Sequence, residues 1–425
     1  MKSTRTQLLV TLVAMVVVAA FFLYRGLPPD REIFLAPYAR DLAHLERCLD
    51  WGVSPNAWDE YGVTPLGGAA INWWEEGIET LLACGANPDG PGQLQDFRPD
   101  SPLLDAAAVG HSGIIRRLLD AGADVNLVSG GWFTLEETAL DAAAAEGYLD
   151  VVELLLAHGA DVRARDSVGT TCVDVATGLS SHVRDSSQKA WICTARRTPD
   201  IIRTLVRHGA DVNARDQFGS TALHTAVWGG LDRAYIDDQV PQARLAVVAS
   251  LILVGADKTI RDKDGRTPLD VAREMGPPAM ADLLAADRAA AEKVAATPIV
   301  EPADERVLKE AQDFIDSGVD INARSRTDGR GWTALHRAAD AGCAAAVRLL
   351  LEHGADVNAE DDFGSTPVIE AAKTASEDTM RALIEAGADL GPHPPGLKDR
   401  TPLNVAVERG NYWVARLIRE HLAGR

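Results

Sequence analysis

Residues 333–367 read TALHRAADAGCAAAVRLLLEHGADVNAEDDFGSTP, and this pattern returns along most of the chain. A helix start resembling Thr-Pro-Leu is followed by a Gly-Ala-Asp turn, and Thr333 and Thr366 lie 33 residues apart. Self-similarity at such a period marks a solenoid of stacked repeats. The turns begin at Gly52, Gly85, Gly122, Gly159, Gly209, Gly255, Gly318, Gly354 and Gly387. The helix starts are Thr64, Ser101, Thr138, Thr171, Thr221, Thr267, Thr333, Thr366 and Thr401.

Each repeat position has a physical role in a pair of short helices. Thr267 is suited to be an N-cap, with Pro268 at the first helical position, where a missing N–H costs nothing. Asp270 falls in the first turn, where a negative charge suits the helix dipole. A second, apolar helix ends at Gly159 and its equivalents, which supply a left-handed C-cap. The sequence therefore predicts one helix pair per repeat.

These residues resemble the ankyrin repeat, with TPLDVA at 267 and TPLNVA at 401 as close variants. The resemblance covers about residues 57–424. It implies an all-α solenoid of stacked helix pairs with projecting finger loops. The concave face of such a solenoid binds other proteins, and the family is typically non-catalytic. We expect this solenoid to follow a single N-terminal transmembrane helix.

Insertions suggest how the chain is divided. One arrangement is two stacks joined by a linker, and the alternative is one continuous stack with a bulging loop. We expect a short tail (1–7), a membrane span (8–24), a juxtamembrane segment with a capping helix (25–56), repeats one to six (57–290) with inserts at about 181–198 and 230–243, a linker (291–306), and a second cap-like helix with repeats seven to nine (307–425).

The N-terminus carries an uninterrupted apolar run from Leu8 to Tyr24. Seventeen residues of helix span about 26 Å, at the short end of a membrane crossing. An uncleaved anchor is favoured over a cleavable signal peptide, which would leave a soluble exported protein. Lys2 and Arg5 favour a cytoplasmic N-terminus, with the repeats on the exported side, the periplasm if the cell is bacterial.

The charge and cysteine content narrow the possible partners. A net charge of -20 and a pI near 4.9 oppose binding to nucleic acid and favour a protein partner with a basic face. Five cysteines without a C-x-x-C pair give no zinc pattern. A disulfide between Cys172 and Cys193 is possible in an exported protein, although Cys172 occupies a helix-start position.

Aromatic and acidic residues in the inserts and finger loops are the candidate partner-binding residues. Those in the finger could instead fold back over a neighbouring finger, and the inserts could be tolerated surface padding. Trp228 should face the concave surface, unless it packs under the insert that follows it. The candidates are Trp132, Phe133, Trp191, Trp228, Tyr235, Asp237 and Asp238.

The histidines do not indicate catalysis. His158, His208 and His353 all precede a turn glycine, so they mark a repeat position rather than a cluster. Phosphate loops and nucleophile elbows are missing from the sequence. We expect no catalytic residues, no cofactor and no metal, and a non-catalytic membrane-tethered interaction scaffold. The alternatives are an accessory or inhibitory subunit of an exported enzyme or toxin, and an enzyme whose chemistry lies in the inserts.

Overall fold

The computed structural model describes most of the repeat region. The described residues are 32–59, 62–91, 101–129, 136–179, 188–228, 242–276, 278–296, 302–325, 329–374, 376–391, 401–409 and 411–423. Within them the structure is built of helices joined by turns, with one isolated antiparallel bridge between Ser129 and Glu137. The chain divides into two compact units, residues 1–184 with 194–297 and residues 185–193 with 298–425.

The first unit stacks helix pairs in chain order. Its described helices are α1 Leu35–Ala39, α2 Leu42–Asp50, α3 Pro65–Ile71, α4 Glu75–Ala83, α5 Pro102–Ala108, α6 Ser112–Asp120, α7 Ala139–Ala145, α8 Leu149–Ala157, α9 Cys172–Asp174, α10 Gln188–Arg207 (which belongs to this unit from residue 194 onward), α11 Ala222–Trp228, α12 Gln242–Val254, α13 Pro268–Met275, α14 Pro278–Ala285 and α15 Arg288–Ala296. The inner helices α1, α3, α5 and α7 pack in succession, and α9, α11 and α13 continue that row.

The second unit repeats the arrangement with its own core. Its helices are α16 Pro302–Asp316, α17 Ala334–Ala341, α18 Ala344–Glu352, α19 Pro367–Ala372, α20 Glu377–Glu385, α21 Pro402–Glu408 and α22 Tyr412–Ala423. One row is formed by α16, α18, α20 and α22, and the other by α17, α19 and α21. Leu335, Val347, Leu350, Val368 and Leu383 are fully or almost fully buried between the rows.

Two boundaries differ from the sequence prediction. The insert at about 181–198 was expected to be a loop, but α10 already begins at Gln188 and runs through Pro199. Residues 188–198 contain several good helix formers, and the helical period continues across Thr198-Pro199, which resembles a helix start. The predicted linker at 291–306 is helical over most of its length, because its alanine-rich segment forms α15 and α16 begins at Pro302.

Thr–Asp capping boxes start three of the inner helices. The Thr171 amide and hydroxyl both donate to Asp174 Oδ2, at 2.8 and 2.6 Å. The same box joins Thr138 to Asp141 and Thr267 to Asp270. In α9 the box is followed by a π-helical turn over Val175–Leu179, so this inner helix departs from the regular α-form of its neighbours. Asp174 is 5% exposed.

Asparagine side chains bond each repeat to the next. Asn213 donates through Nδ2 to the Gly255 carbonyl at 3.4 Å and accepts from the Asp257 amide at 2.7 Å. The equivalent residues Asn56, Asn126 and Asn322 make the same pair of bonds to the following turn. We call this row of contacts the asparagine ladder. It satisfies backbone groups that the sharp turns would otherwise leave to solvent.

Turn histidines cap the helices that end beside them. The Nδ1 atoms of His158, His208 and His353 lie 2.8–2.9 Å from the carbonyl oxygen four residues earlier. Each imidazole therefore serves its own helix end, as expected for a repeat position. The three histidines therefore occupy one repeat position and make the same local contact.

The membrane prediction falls on residues that the structure does not describe. Segment 8–24 lies outside the described residues, as do residues 25–31 of the juxtamembrane segment. From Glu32 onward, no described helix combines the length and the apolar character needed to cross a membrane.

Replacement of Asp174 by Asn should change how stability depends on pH. Burial, partly offset by the bonds from Thr171, raises the pKa of the Asp174 carboxyl to about 6. Folding therefore favours the protonated form, so this group stabilises the fold most below pH about 4, and its contribution is lost as the pH rises through about 6. The loss is about 3 kcal/mol at most, since a pKa unit corresponds to about 1.4 kcal/mol. Asn keeps the acceptor oxygen, so D174N should be at least as stable as the wild type at pH 7.5.

Urea titrations at pH 4.5 and 7.5 measure this effect, with D270N as the matched control. The bonds from Thr267 lower the pKa of Asp270 from its ordinary value of 3.8, so its contribution is lost only below that pH, and D270N should be destabilising to a similar extent at both pH values. Burial lowers the pKa of His224 and His336, so their contribution to the stability of the fold is lost as the pH falls. Each variant is therefore compared with the wild type at the same pH. Equal destabilisation by D174N at both pH values would contradict the prediction.

Replacement of Asn213 by Ala should loosen the contact between two neighbouring repeats. It removes both ladder bonds and should cost about 1 kcal/mol, because water can reach the released groups. Hydrogen exchange should quicken at the Asp257 amide, which donates to Asn213. The matched control is Gln217→Ala, since Gln217 lies exposed on the same finger. Unchanged exchange at Asp257 would show that the ladder bond does not hold the turn.

Candidate binding surface: finger loops and concave helix face

The finger of repeat five is closed by an aspartate turn. Asp216 Oδ1 accepts from the amides of Phe218 and Ser220, both at 2.8 Å, and the Asp216 amide donates to the Ser220 carbonyl at 2.9 Å. Gly219 takes a φ of 76°, and a Cβ there would lie 3.2 Å from the Lys263 amide nitrogen. The turn therefore needs Asp at its start and Gly at its end.

Neighbouring fingers of the first unit are joined through their backbones. The Gln217 amide donates to the Val168 carbonyl at 2.8 Å, and the Lys263 amide donates to the Phe218 carbonyl at 2.9 Å. Because repeats four, five and six are linked in this way, the tip of finger five has a fixed backbone. A side chain on such a tip loses little further freedom when it binds a partner.

Arginines add a second connection between the fingers. Arg215 donates to the Gly219 carbonyl of its own finger at 3.2 Å and to the Arg261 carbonyl of the next at 2.7 Å. Arg165 makes the corresponding pair of bonds to Gly169 and to the Arg215 carbonyl, at 3.1 and 2.9 Å. These guanidinium groups therefore hold the fingers together, although they lie on an exposed edge.

Two exposed phenylalanines occupy equivalent finger tips and were not among the predicted residues. Phe218 is 60% exposed in the first unit, and Phe363 is 63% exposed in the second. The Phe363 amide donates to Asp361 Oδ1 at 2.9 Å, as the Phe218 amide does to Asp216. A single aromatic residue inside the polar sequence Asp-x-Phe-Gly was the available signal. Its polar neighbours cannot cover a ring of this size.

Trp228 is the predicted binding residue whose side chain the structure describes. It is the last residue of α11 and is 58% exposed. The helix that carries it is fixed at its start by His224, whose Nδ1 lies 3.0 Å from Thr221 Oγ1 and whose Nε2 lies 3.1 Å from the Arg266 carbonyl oxygen. An exposed tryptophan on a fixed helix can act as an anchor for a partner.

The remaining predicted residues cannot be placed beside Trp228. Trp191 lies on α10, but its side chain is outside the described residues, and Trp132, Phe133, Tyr235, Asp237 and Asp238 lie outside them entirely. The base of the finger that contains Trp132 and Phe133 is described, since Ser129 and Glu137 exchange backbone bonds of 2.9 and 2.7 Å. Their role in binding stays a prediction.

Positive and negative side chains are equal in number in fingers four to six, although the chain as a whole is acidic. Arg266 lies 2.9 Å from Asp262 and 2.8 Å from Asp264. Burial pushes the pKa of Asp262 up, but bonds from Arg266 outweigh it, and the pKa is lowered. Fingers four to six carry as many cationic side chains as carboxylates over residues 161–166, 211–219 and 257–266.

The buried histidines and Cys172 make hydrogen bonds that link or cap the repeats. His336 repeats the contacts of His224, with Nδ1 2.9 Å from Thr333 Oγ1 and Nε2 3.0 Å from the Ser365 carbonyl oxygen. Burial lowers the pKa of both imidazoles, and each ring links its own repeat to the next. Cys172 is a free, buried thiol that donates to the Val162 carbonyl at 3.3 Å, and the side chain of Cys193 lies outside the described residues.

One group of metal-ligating side chains was not predicted. In the described part of the chain, Glu32, His44 and Cys48 bring a carboxylate, an imidazole and a thiol within 4.8 Å of one another. The available signal was the spacing of His44 and Cys48, four residues apart on one helix face.

Comparison with known proteins identifies the repeats. Residues 69–166 and 303–393 match the family described as ankyrin repeats (3 copies). A putative ankyrin repeat-containing protein of Treponema pallidum (strain Nichols) is 34% identical over 150 residues, which are 35% of this chain and 47% of that protein.

Two further relatives match over shorter segments. Palmitoyltransferase Hip14 of Drosophila melanogaster is 42% identical over 82 residues, 18% of this chain and 12% of that protein. The 2-5A-dependent ribonuclease of Mus musculus is 36% identical over 87 residues, 20% of this chain and 11% of that protein. The chain spans less than half the length of each of these relatives, two of which are named as enzymes.

A solved structure is also similar. The crystal structure of the ankyrin repeat domain of Bcl-3, a member of the IkappaB protein family, aligns with a TM-score of 0.44 and 24% identity, over 60% of this chain and 98% of that one. The sequence matches agree with the observed stack of helix pairs, and residues 69–166 and 303–393 are similar to ankyrin repeats.

Proposed function

We propose that this protein is a non-catalytic, membrane-tethered scaffold that holds a protein partner on its finger loops and concave face. The observation that carries the proposal is the pair of exposed aromatic side chains in repeat five, Phe218 on a fixed finger tip and Trp228 on an inner helix. Large aromatic residues on a preorganised surface supply most of the binding energy in many interfaces.

The charge distribution indicates which surface properties the partner should have. The chain as a whole is strongly acidic, which favours a partner with a basic face through faster encounter. The balanced fingers four to six are suited to apolar and hydrogen-bonded contact instead. The proposed partner therefore has a basic surface that steers it and an apolar pocket or ridge that meets Phe218 and Trp228.

Membrane tethering is a separate part of the proposal, and it rests on the apolar run from Leu8 to Tyr24. In the proposed topology Lys2 and Arg5 stay on the cytoplasmic side and the repeats are exported. A tether would confine the scaffold to one surface and raise the effective concentration of the scaffold for a partner held at the same membrane.

Removal of the two aromatic rings should weaken partner binding. Photo-crosslinking from positions 218 and 228 in the intact cell identifies the partner, and position 153 on the exposed side of α8 serves as the control position. With the purified partner, Trp228→Ala should raise Kd by at least about tenfold, and Phe218→Ala by a similar factor, because a buried aromatic anchor contributes about 2 kcal/mol or more.

The matched control is Trp51→Ala, since Trp51 is 61% exposed but follows α2 at a turn rather than on a finger or inner helix. Its Kd should equal that of the wild type. Raised salt should slow association more than it speeds dissociation. If W228A and F218A bind as tightly as W51A, the concave face and finger five are not the binding surface.

A charged residue in the apolar run should release the protein from the membrane. Val16 lies at its centre, and an arginine there costs about 2.5–3.5 kcal/mol of insertion free energy. Carbonate extraction should leave wild type and Val16→Leu in the membrane fraction and V16R in the soluble fraction. An active C-terminal alkaline phosphatase fusion reports export. N-terminal sequencing that finds a mature chain starting after Ala20 would show cleavage and overturn the tether.

A further inference from the structure

The first described residues bring three metal-ligating side chains to one place. Glu32 precedes α1, while His44 and Cys48 lie on α2. The ligand atoms of the three residues all lie within 4.8 Å of one another. This group lies away from repeat five, and nothing in the proposed scaffold role uses it.

Helical spacing brings two of the three side chains together, and all three are largely buried. His44 and Cys48 are four residues apart, so both side chains project from one face of α2. They are 5% and 0% exposed, and the Glu32 side chain is 17% exposed. A buried thiol beside a buried imidazole and a carboxylate is expensive to desolvate, and a bound cation would offset that cost.

Protein contacts already orient the imidazole toward Glu32. His44 Nε2 lies 3.2 Å from the Glu32 carbonyl oxygen and 3.9 Å from its carboxylate Oε2. Nδ1 lies 3.3 Å from the guanidinium of Arg47, which donates to it. Because Arg47 can only donate, this pattern places the ring proton on Nε2, and Nε2 is the atom that faces Glu32.

We propose that Glu32, His44 and Cys48 form a zinc site at the N-terminal cap of the array. A thiolate, an imidazole nitrogen and a carboxylate oxygen are the ligands that zinc takes, whereas Mg²⁺ and Ca²⁺ prefer oxygen alone. Zinc bonds of about 2.0–2.3 Å require the widest ligand separation to close by about 1 Å. Water, or the second oxygen of Glu32, completes the tetrahedron.

Binding balances through two proton movements. The Cys48 thiol loses its proton to solvent, and the proton on His44 Nε2 is replaced by one on Nδ1 while the exposed Arg47 side chain turns to water. Affinity should therefore rise with pH, because one net proton, that of the Cys48 thiol, leaves as the ion enters.

A bound zinc ion would fix the first helix pair at the start of the solenoid. The ion would join the residue that leads into α1 to the second helix of the cap, and so tie the beginning of the array to its first helix pair. The metal site depends on neither the tether nor the protein partner, so it can be tested independently of both.

Cobalt is the probe that reports both the ligands and the geometry. The full chain is purified in detergent with a reductant, stripped with a chelator, and titrated with Co²⁺. We expect one equivalent to give a thiolate-to-cobalt charge-transfer band and the intense visible bands of four-coordinate cobalt, both removed by Zn²⁺ and unaffected by Mg²⁺. Cys48→Ser should abolish the charge-transfer band. His44→Gln and Glu32→Gln should weaken zinc binding by more than the roughly 10–100-fold that loss of an outer-shell partner costs.

The matched controls are Cys84→Ser, whose thiol is exposed, and His353→Gln, whose ring caps α18; both should titrate as the wild type does. Circular dichroism checks that each variant is folded. If a change on α2 unfolds the cap, E32Q still tests the site, because Glu32 is partly exposed and lies outside α2. A wild type without the thiolate band, or a band that survives in C48S, would overturn the zinc site.

Discussion

The asparagine ladder, in which a side-chain amide bonds to the backbone of the following turn, is the constraint on which the rest of this solenoid depends. A helix pair as short as α3 with α4 cannot bury its own apolar face, so it is stable only in register with its neighbours. Asn213 sets that register for repeats five and six, and Asn126 does so for repeats three and four. At Arg163 the guanidinium replaces the amide and still reaches the Gly209 carbonyl at 3.2 Å.

Features that depend on neighbouring residues were predictable from the sequence, and features that depend on distant ones were not. The helix starts at Thr267 and Thr333, the turn glycines and the capping histidines follow from local chemistry. The early start of α10 at Gln188 could not be predicted from local chemistry. Thr198-Pro199 resembles a helix start, and only packing decides whether the residues before it are helical. Likewise, α15 forms within a segment whose composition also suits a linker.

The candidate surface shows the same division. Exposure of Trp228 could be predicted from its repeat position, whereas Phe218 was missed because a residue in a polar turn carries no periodic signal. The fixed backbone around Phe218 comes from bonds to fingers four and six, which sequence spacing does not reveal. Glu32 is twelve residues from His44, and the turn between α1 and α2 brings them together. That approach could not be deduced from composition or from helical spacing alone.

The hydrogen bonds of the turns and fingers mostly join a repeat to itself or to an adjacent repeat. Substitutions that are two or more repeats apart should therefore have nearly additive effects on stability. Over evolutionary time such a chain can exchange side chains on one finger, or lengthen one loop, without compensating changes elsewhere. Recognition of a new partner can then arise by drift within a single repeat, while the others preserve the scaffold. The asparagine ladder thus separates the residues free to diverge from those that must be retained.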